Sequence, residues 1–325
     1  CSSESADSLY AIDPKGDPVY RLDKVADILD STLKILPSSS FLDYGCAKGL
    51  LAQKVSQRFA CKPYLFDLTD SYVEFWSKWA DPKRCFISEI DDSLSNTFEF
   101  IVCNFVFEHV EDPIKTLAHI NGLLLPGGKI VIIVPNPTAN IGDLLVVDHV
   151  QNYSQESLMN LARQSGLIVN KLDSELYRGA YVLIAEKPIS ISIGVKGIEE
   201  SSTAEESGLT LYRSLRTAES MNNVLVEYAK KNRNKDVFIY GAGFYGAYVL
   251  SRLCGSCNIL GFFDQNPSLG GTEIHGVNIY SLDEYELHED LRIFLALNPS
   301  IAYEASQSII DKHPILESKI DFFRH

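Results

Sequence analysis

Four places in the sequence combine residue types and spacing that chemistry can use. The first is Asp43-Tyr44-Gly45-Cys46-Ala47-Lys48-Gly49, two glycines between an apolar run and a helical pattern. Glycine has no Cβ, so such a loop turns tightly and lets a ligand approach the backbone. Its spacing departs from the dinucleotide G-x-G-x-x-G, and Asp43 ahead of the glycines repels a pyrophosphate while suiting a cationic ligand or its ammonium group. Asp67, 24 residues after Asp43, ends the next predicted strand, where a carboxylate can accept hydrogen bonds from both hydroxyls of a ribose. The second and third places are His109 and the pair Asp148-His149. Of the ordinary side chains histidine titrates nearest neutrality, so it is the base expected to take a proton from a hydroxyl or from a carbon beside a carbonyl. An acidic neighbour such as Asp148 helps to orient or charge an imidazole. The fourth is Gly241-x-Gly243-x-x-Gly246 with Asp264 21 residues beyond Gly243. By spacing it fits phosphate at a helix amino terminus and a carboxylate on a ribose.

Positioning these groups requires elements that alternate along the chain. Apolar residues at helical spacing predict a helix over 19–36, ending at Pro37. Strands are predicted at 41–45, 63–66, 98–104, 129–134 and 181–185, with helices at 50–59, 71–79, 113–125 and 155–165, the last capped by Ser154. Near-continuous apolar strands separated by helical patterns predict a parallel sheet covered on both faces. Residues 188–206 change character: Pro188, a β-like 189–193 and an acidic, serine-rich stretch read as a connector. A helix over 209–231 follows, then a second α/β run with strands at 237–240, 259–263 and 292–297 and a helix at 247–253. The expected organisation is therefore a first domain over 1–187, a linker over 188–208, and a smaller Rossmann-like α/β domain over 209–325.

With 29 basic and 43 acidic side chains the net charge is −14. Such a field repels phosphate backbones and anionic lipid heads, so neither nucleic acid nor a membrane surface is an expected partner. No apolar run approaches 18 residues, which excludes a hydrophobic membrane-spanning helix. Seven scattered cysteines do not form a disulfide framework and favour a reducing, cytoplasmic setting. Cys254-x-x-Cys257 has no second pair, so no metal-ligand set is read here. The opening Cys1-Ser2-Ser3 fits a trimmed chain with a segment missing upstream, ahead of the alternative of a lipid-modified mature terminus. Tyr153 is expected to pack as one of sixteen tyrosines, and His119 to lie on an ordinary amphipathic helix.

Taken together, the 41–49 loop, Asp67, the run Phe98 to Pro113 with its Glu108-His109 pair, and Leu125-Pro126-Gly127-Gly128-Lys129 resemble the class I S-adenosylmethionine-dependent methyltransferases over about 20–187. The resemblance implies a methyltransferase Rossmann-like sheet. It also implies that the 43–49 loop (Asp43, Tyr44, Gly45, Cys46, Gly49) holds the methionine part of S-adenosylmethionine and Asp67 the ribose, with Leu68 beside it. The segment around Glu89 would face the adenine, and Asn104 and Phe105 would floor the site. The domain order is similar to that of two-domain sugar methyltransferases, including C-methyltransferases of nucleotide-linked keto-deoxysugars. That likeness implies proton chemistry for His109 and for the Asp148-His149 pair. The chain departs from it in carrying Asp148 for a glutamate and Val146 for a tyrosine, and the family's amino-terminal four-cysteine zinc module is not within these 325 residues. The expected activity is methyl transfer to a small polar acceptor, a sugar or nucleotide-linked sugar, with acceptor atom and oligomeric state left open. Alternatives are a non-catalytic binding subunit and a nicotinamide-dependent sugar oxidoreductase acting through Gly241, Gly243, Gly246 and Asp264. For that second loop a structural role and the nucleotide of an activated sugar also remain open.

Overall fold

A computed structural model of the chain describes residues 9–12, 17–189, 203–287 and 290–323. The chain forms two compact units, one of residues up to 139 with 146–208, the other of 140–145 with 209 onward. The expected connector over 188–206 lies largely outside the described residues.

The first unit opens with β1 (Leu9–Ile12) and β2 (Pro18–Tyr20), an antiparallel pair. Helix α1 (Arg21–Thr32) follows, then β3 (Ser40–Tyr44), α2 (Leu50–Phe59), β4 (Lys62–Asp67), the single turn α3 (Val73–Trp76) and β5 (Cys85–Ile87). Strand β6 (Phe98–Asn104), α4 (Pro113–Leu123), β7 (Leu124–Pro135), α5 (Gln155–Gln164), β8 (Ile168–Asp173) and β9 (Ala180–Glu186) complete it. The seven main strands lie in the order β5-β4-β3-β6-β7-β9-β8. One apolar cluster joins α1 and α2 to one face through Val25, Leu29, Leu51 and Val55, and another joins α4 and α5 to the other face through Leu117, Ile120, Leu158 and Leu161. Both faces are thus covered, and the strands read as continuous apolar runs for that reason.

Three expectations shift. The sheet is mixed, not wholly parallel: β9 runs antiparallel to both β7 and β8. The short connection between β8 and β9, residues 174–179, is too short for a crossover and can only make a hairpin. The helix expected over 19–36 is confined to Arg21–Thr32. Pairing with β1 takes 18–20, and near the other end Ser31 and Thr32 hydroxyls both donate to the Ile28 carbonyl, competing with helix bonds. The helix expected over 71–79 is reduced to a 3₁₀ turn at Asp70–Tyr72 and the single α turn α3, with the Thr69 side chain accepting from the Ser71 N–H.

The parallel strands β3, β4 and β5 run to one side, and the chain then crosses to place β6 on the other side of β3. This reversal leaves a crevice beyond the carboxyl ends of β3 and β6, where open α/β sheets bind ligands.

The second unit contains α6 (Thr203–Lys231) from residue 209 onward, β10 (Asp236–Tyr240), α7 (Phe244–Leu253), β11 (Asn258–Phe263), β12 (Glu273–Ile274), β13 (Val277–Tyr280), β14 (Ile293–Leu295), α8 (Pro299–Lys312) and β15 (Ile320–Phe322). Its sheet order is β12-β13-β11-β10-β14-β15, with only β12 antiparallel. Residues 140–145 pack within this unit: Ile141 is buried, and the Gly142 N–H donates to the Tyr245 hydroxyl at 3.0 Å.

Candidate active site

The first glycine loop lies at the reversal between β3 and β6. The Gly45 and Cys46 N–H groups both donate to the Phe66 carbonyl, at 2.8 and 2.9 Å, which bends the chain sharply off β3. At Gly45 φ is +76°, and an added Cβ would stand 2.6 Å from Val106, so only glycine fits beside the segment leaving β6. Ala47 is held in the left-handed region at φ +46°. Its N–H donates to Asp67 Oδ2 at 2.9 Å, and its carbonyl accepts from Trp76 Nε1 at 2.7 Å. Strain of this kind persists only where neighbours over-determine it, and it concentrates at ligand sites. Trp76, 1% exposed, is a site residue that the sequence motifs do not mark. Its only sequence signal was an aromatic in the weak helical pattern after Asp67.

Asp67 uses both oxygens on backbone, Oδ1 accepting from the Thr69 N–H at 3.2 Å. Leu68 beside it is 74% exposed, and the Ser88 N–H donates to the Asp67 carbonyl at 3.0 Å, bringing the turn with Glu89 alongside. Asp43 is sequestered: it is 2% exposed and its Oδ2 accepts from the Ala52 N–H of α2 at 3.1 Å. Burial pushes its carboxyl up to about 7, the Ala52 hydrogen bond opposing and the charge of Asp67 adding to the rise. Asn104 closes β6 with a buried Oδ1 that has no hydrogen-bond partner among the described residues. Phe105 follows at φ +55°, its ring edge-on to Tyr177 at 5.5 Å. Tyr44 packs on Phe66 at 4.5 Å, and Cys46 is buried. Two carboxylates and an unsatisfied amide oxygen around a strained loop fit a positively charged nucleoside.

The histidines come together although they stand forty residues apart. Their rings meet edge to face with centroids 4.8 Å apart. His109 lies on a 3₁₀ turn after β6, at Phe107–His109, and His149 in the loop after β7. The two segments are joined by the Gln151 N–H on the Glu108 carbonyl at 3.0 Å and the buried Tyr153 hydroxyl on the Phe107 carbonyl at 3.1 Å. Tyr153 therefore packs, as expected, and also ties down the histidine turn. Ser154 caps α5 in a capping box with Ser157. His109 Nδ1 is 2.9 Å from the Asp148 carbonyl oxygen, which can only accept, so Nδ1 carries a proton and, in the neutral ring, Nε2 has the lone pair. The Asp148 carboxylate lies 3.6 Å from the same nitrogen. A lone pair on an exposed imidazole, oriented by a backbone carbonyl, can accept a proton.

The second glycine loop repeats the first in outline. Gly241 leaves β10 with its N–H on the Phe263 carbonyl at 2.7 Å, the Ala242 N–H donates to Asp264 Oδ2 at 2.7 Å, and the Asn266 N–H to Asp264 Oδ1 at 2.8 Å. An added Cβ on Gly246 would stand 2.0 Å from the Gly241 carbonyl oxygen, so that glycine serves close helix packing. A Cβ on Gly243 would meet nothing within 4 Å. Among the described residues all six cysteines are free, and no helix is long and apolar enough to cross a membrane.

Residues 20–172 match the family model for a methyltransferase domain. A ubiquinone biosynthesis O-methyltransferase of Xanthomonas oryzae pv. oryzae is 28% identical over 146 residues, covering 43% of this chain and 56% of that protein. A protein of the same name from Coxiella burnetii is 28% identical over 101 residues, covering 29% of this chain and 43% of that protein. The chain spans about half the length of the curated relatives it matches. Among solved structures, an S-adenosylmethionine-dependent methyltransferase from Mesorhizobium loti is similar at TM-score 0.42 and 15% identity, over 51% of this chain and 100% of that one. Another from Aquifex aeolicus gives TM-score 0.39 and 16% identity, over 50% and 88%. The fold assignment rests on the strand order itself. By the family match, residues 20–172 are similar to a methyltransferase domain, and they carry the seven-stranded sheet described above.

Proposed function

We propose that the chain is a methyltransferase acting on a small, polar, hydroxyl- or carbonyl-bearing acceptor, a sugar or nucleotide-linked sugar. The observation that carries this reading is that the strained donor loop follows β3 and His109, its ring against His149, follows β6, the two strands that flank the sheet reversal. S-adenosylmethionine, when bound, supplies a methyl group on a sulfonium that a nucleophile displaces in line. Asp67 would hold the ribose hydroxyls, Asn104 the ammonium group, and the backbone of 45–49 the methionine chain. His109 Nε2, fixed by the Asp148 carbonyl, would take the acceptor's proton together with His149. Holding acceptor and methyl in line in a site shielded from water supplies much of the rate in such a displacement.

The acceptor class is inferred from the domain order. For the glycine loop of the second unit a structural role is the first reading, and binding of a nucleotide is the alternative. Incubating the full chain with the donor and a panel of nucleotide sugars, free sugars and phenols tests both points by mass spectrometry. S-adenosylhomocysteine and a sugar product heavier by one methylene are expected. Turnover of phenols alone would overturn the sugar reading. Donor binding without turnover of any acceptor would point to a non-catalytic binding protein.

A further inference from the structure

We propose that Glu108, His109 and His149 bind a divalent transition-metal ion of the zinc type, which holds an oxygen of the acceptor. The use assigned to the ion rests on the acceptor reading above, whereas its binding does not.

One ligand atom from each residue lies within 4.8 Å of the other two. Ligands around a tetrahedral ion at about 2.1 Å sit roughly 3.4 Å apart, so the three atoms must close in by up to about 1.4 Å. His109 is exposed and His149 is half-buried on a loop, so rotation of the His149 ring is the movement the closure asks for. The carboxylate is the fixed partner, since Glu108 is 1% exposed. A carboxylate held out of water is stabilised by a cation beside it, and two neutral imidazoles complete a three-ligand set.

The surroundings are those of a ligating histidine. A metal-bound imidazole donates its other ring N–H to a carbonyl or carboxylate, which fixes the tautomer. His109 does this through Nδ1 to the Asp148 carbonyl at 2.9 Å, with the Asp148 carboxylate at 3.6 Å. The Gln151 and Tyr153 hydrogen bonds hold the two ligand-bearing segments in register. Two nitrogens and one carboxylate favour zinc, cobalt or iron over magnesium and calcium, which take oxygen ligands. Three protein ligands also leave a position open, as in catalytic zinc sites. An acceptor hydroxyl in that position loses its proton to solvent more readily, and its oxygen is held as the nucleophile. With the ion bound the imidazoles ligate in place of taking the proton, so the base role given to them above is that of the metal-free chain.

The untagged full chain, stripped with a chelator, is titrated with Co²⁺ by visible absorption and with Zn²⁺ by calorimetry. One ion per chain and a cobalt spectrum of nitrogen and oxygen ligands are expected. His109→Ala and His149→Ala should each weaken binding at least tenfold. Glu108→Gln should do so too, but that residue is buried, so the two histidine variants carry the test. Binding of S-adenosylhomocysteine, measured on the same samples, shows that the first unit remains folded. No heat and no spectrum at millimolar metal would overturn the inference, as would metal binding unchanged in both histidine variants. A chain that binds S-adenosylhomocysteine but no metal overturns the metal site alone. A chain that binds metal through the histidines but takes no donor supports the site and sinks the methyltransferase reading.

Discussion

Asp43→Asn isolates the charge buried beneath the donor loop. In the folded wild type the Asp43 carboxyl is pushed from its ordinary 3.8 up to about 7, chiefly by burial. Between those values the folded chain holds a proton that the unfolded chain has lost, so stability falls as pH rises from about 4 to about 7 and levels above. The full difference amounts to about 4 kcal/mol at 1.36 kcal/mol per pH unit. Asparagine keeps an oxygen for the Ala52 N–H, bonded at 3.1 Å in the wild type, and has no charge to bury. Its melting temperature relative to wild type should therefore climb across this window. At roughly 2–4 °C per kcal/mol the total gain is on the order of 10 °C. Thermal melts of both proteins without ligand, from pH 4.5 to 8.5, measure it directly. Melting curves that stay parallel over that range would refute a buried, proton-holding Asp43. The donor's positive charge should favour the ionised form, so wild-type donor affinity should rise with pH up to about 7 and that dependence should vanish in Asp43→Asn.

Asp67→Ala removes the acceptor of the Ala47 N–H as well as a ribose partner, and calorimetry should show donor affinity weaker by at least about tenfold, since hydrogen bonds to a charged group contribute about 1.5–3 kcal/mol each. Gly49→Ala places a Cβ 2.6 Å from Leu65 and 3.1 Å from Trp76 at φ +72°, and should cost about 1–3 kcal/mol in denaturant melts. Gly243→Ala meets no atom and should leave stability within about 0.5 kcal/mol, so any ligand of the second unit that it displaces is lost by direct contact. Tyr153→Phe leaves the Phe107 carbonyl without its 3.1 Å donor and should cost about 1 kcal/mol, with a lower turnover if the histidine turn loosens.

Much of the frame was legible from local signals. Glycines flanked by an apolar run and a helical pattern located both loops, because a tight turn at a strand end demands them wherever the rest of the chain goes. The apolar runs of β3, β6 and β7 announced strands covered on both faces. Sequence alone overestimated α1 and α3, where hydroxyls on the backbone and the pairing of β2 with β1 decide the ends. It also missed the antiparallel β8–β9 hairpin, whose direction follows from the brevity of a connection without strong turn residues until Gly179.

The sequence by itself determined which residues could serve a cationic nucleoside: Asp43 and Asp67 at fixed distance from two glycines, and histidines after two successive strands. Only the tertiary structure decided what those groups are. Asp43 is buried under α2 because strands on both sides of β3 and the helix above it exclude water, and no local pattern encodes that. Glu108, His109 and His149 meet because β6 and β7 lie side by side and their following loops are tied together by backbone hydrogen bonds. Residues 140–145 join the second unit through the burial of Ile141 and the hydroxyl of Tyr245. Contacts between segments forty or a hundred residues apart depend on how the sheets are ordered, and that order emerges only when the whole chain is packed.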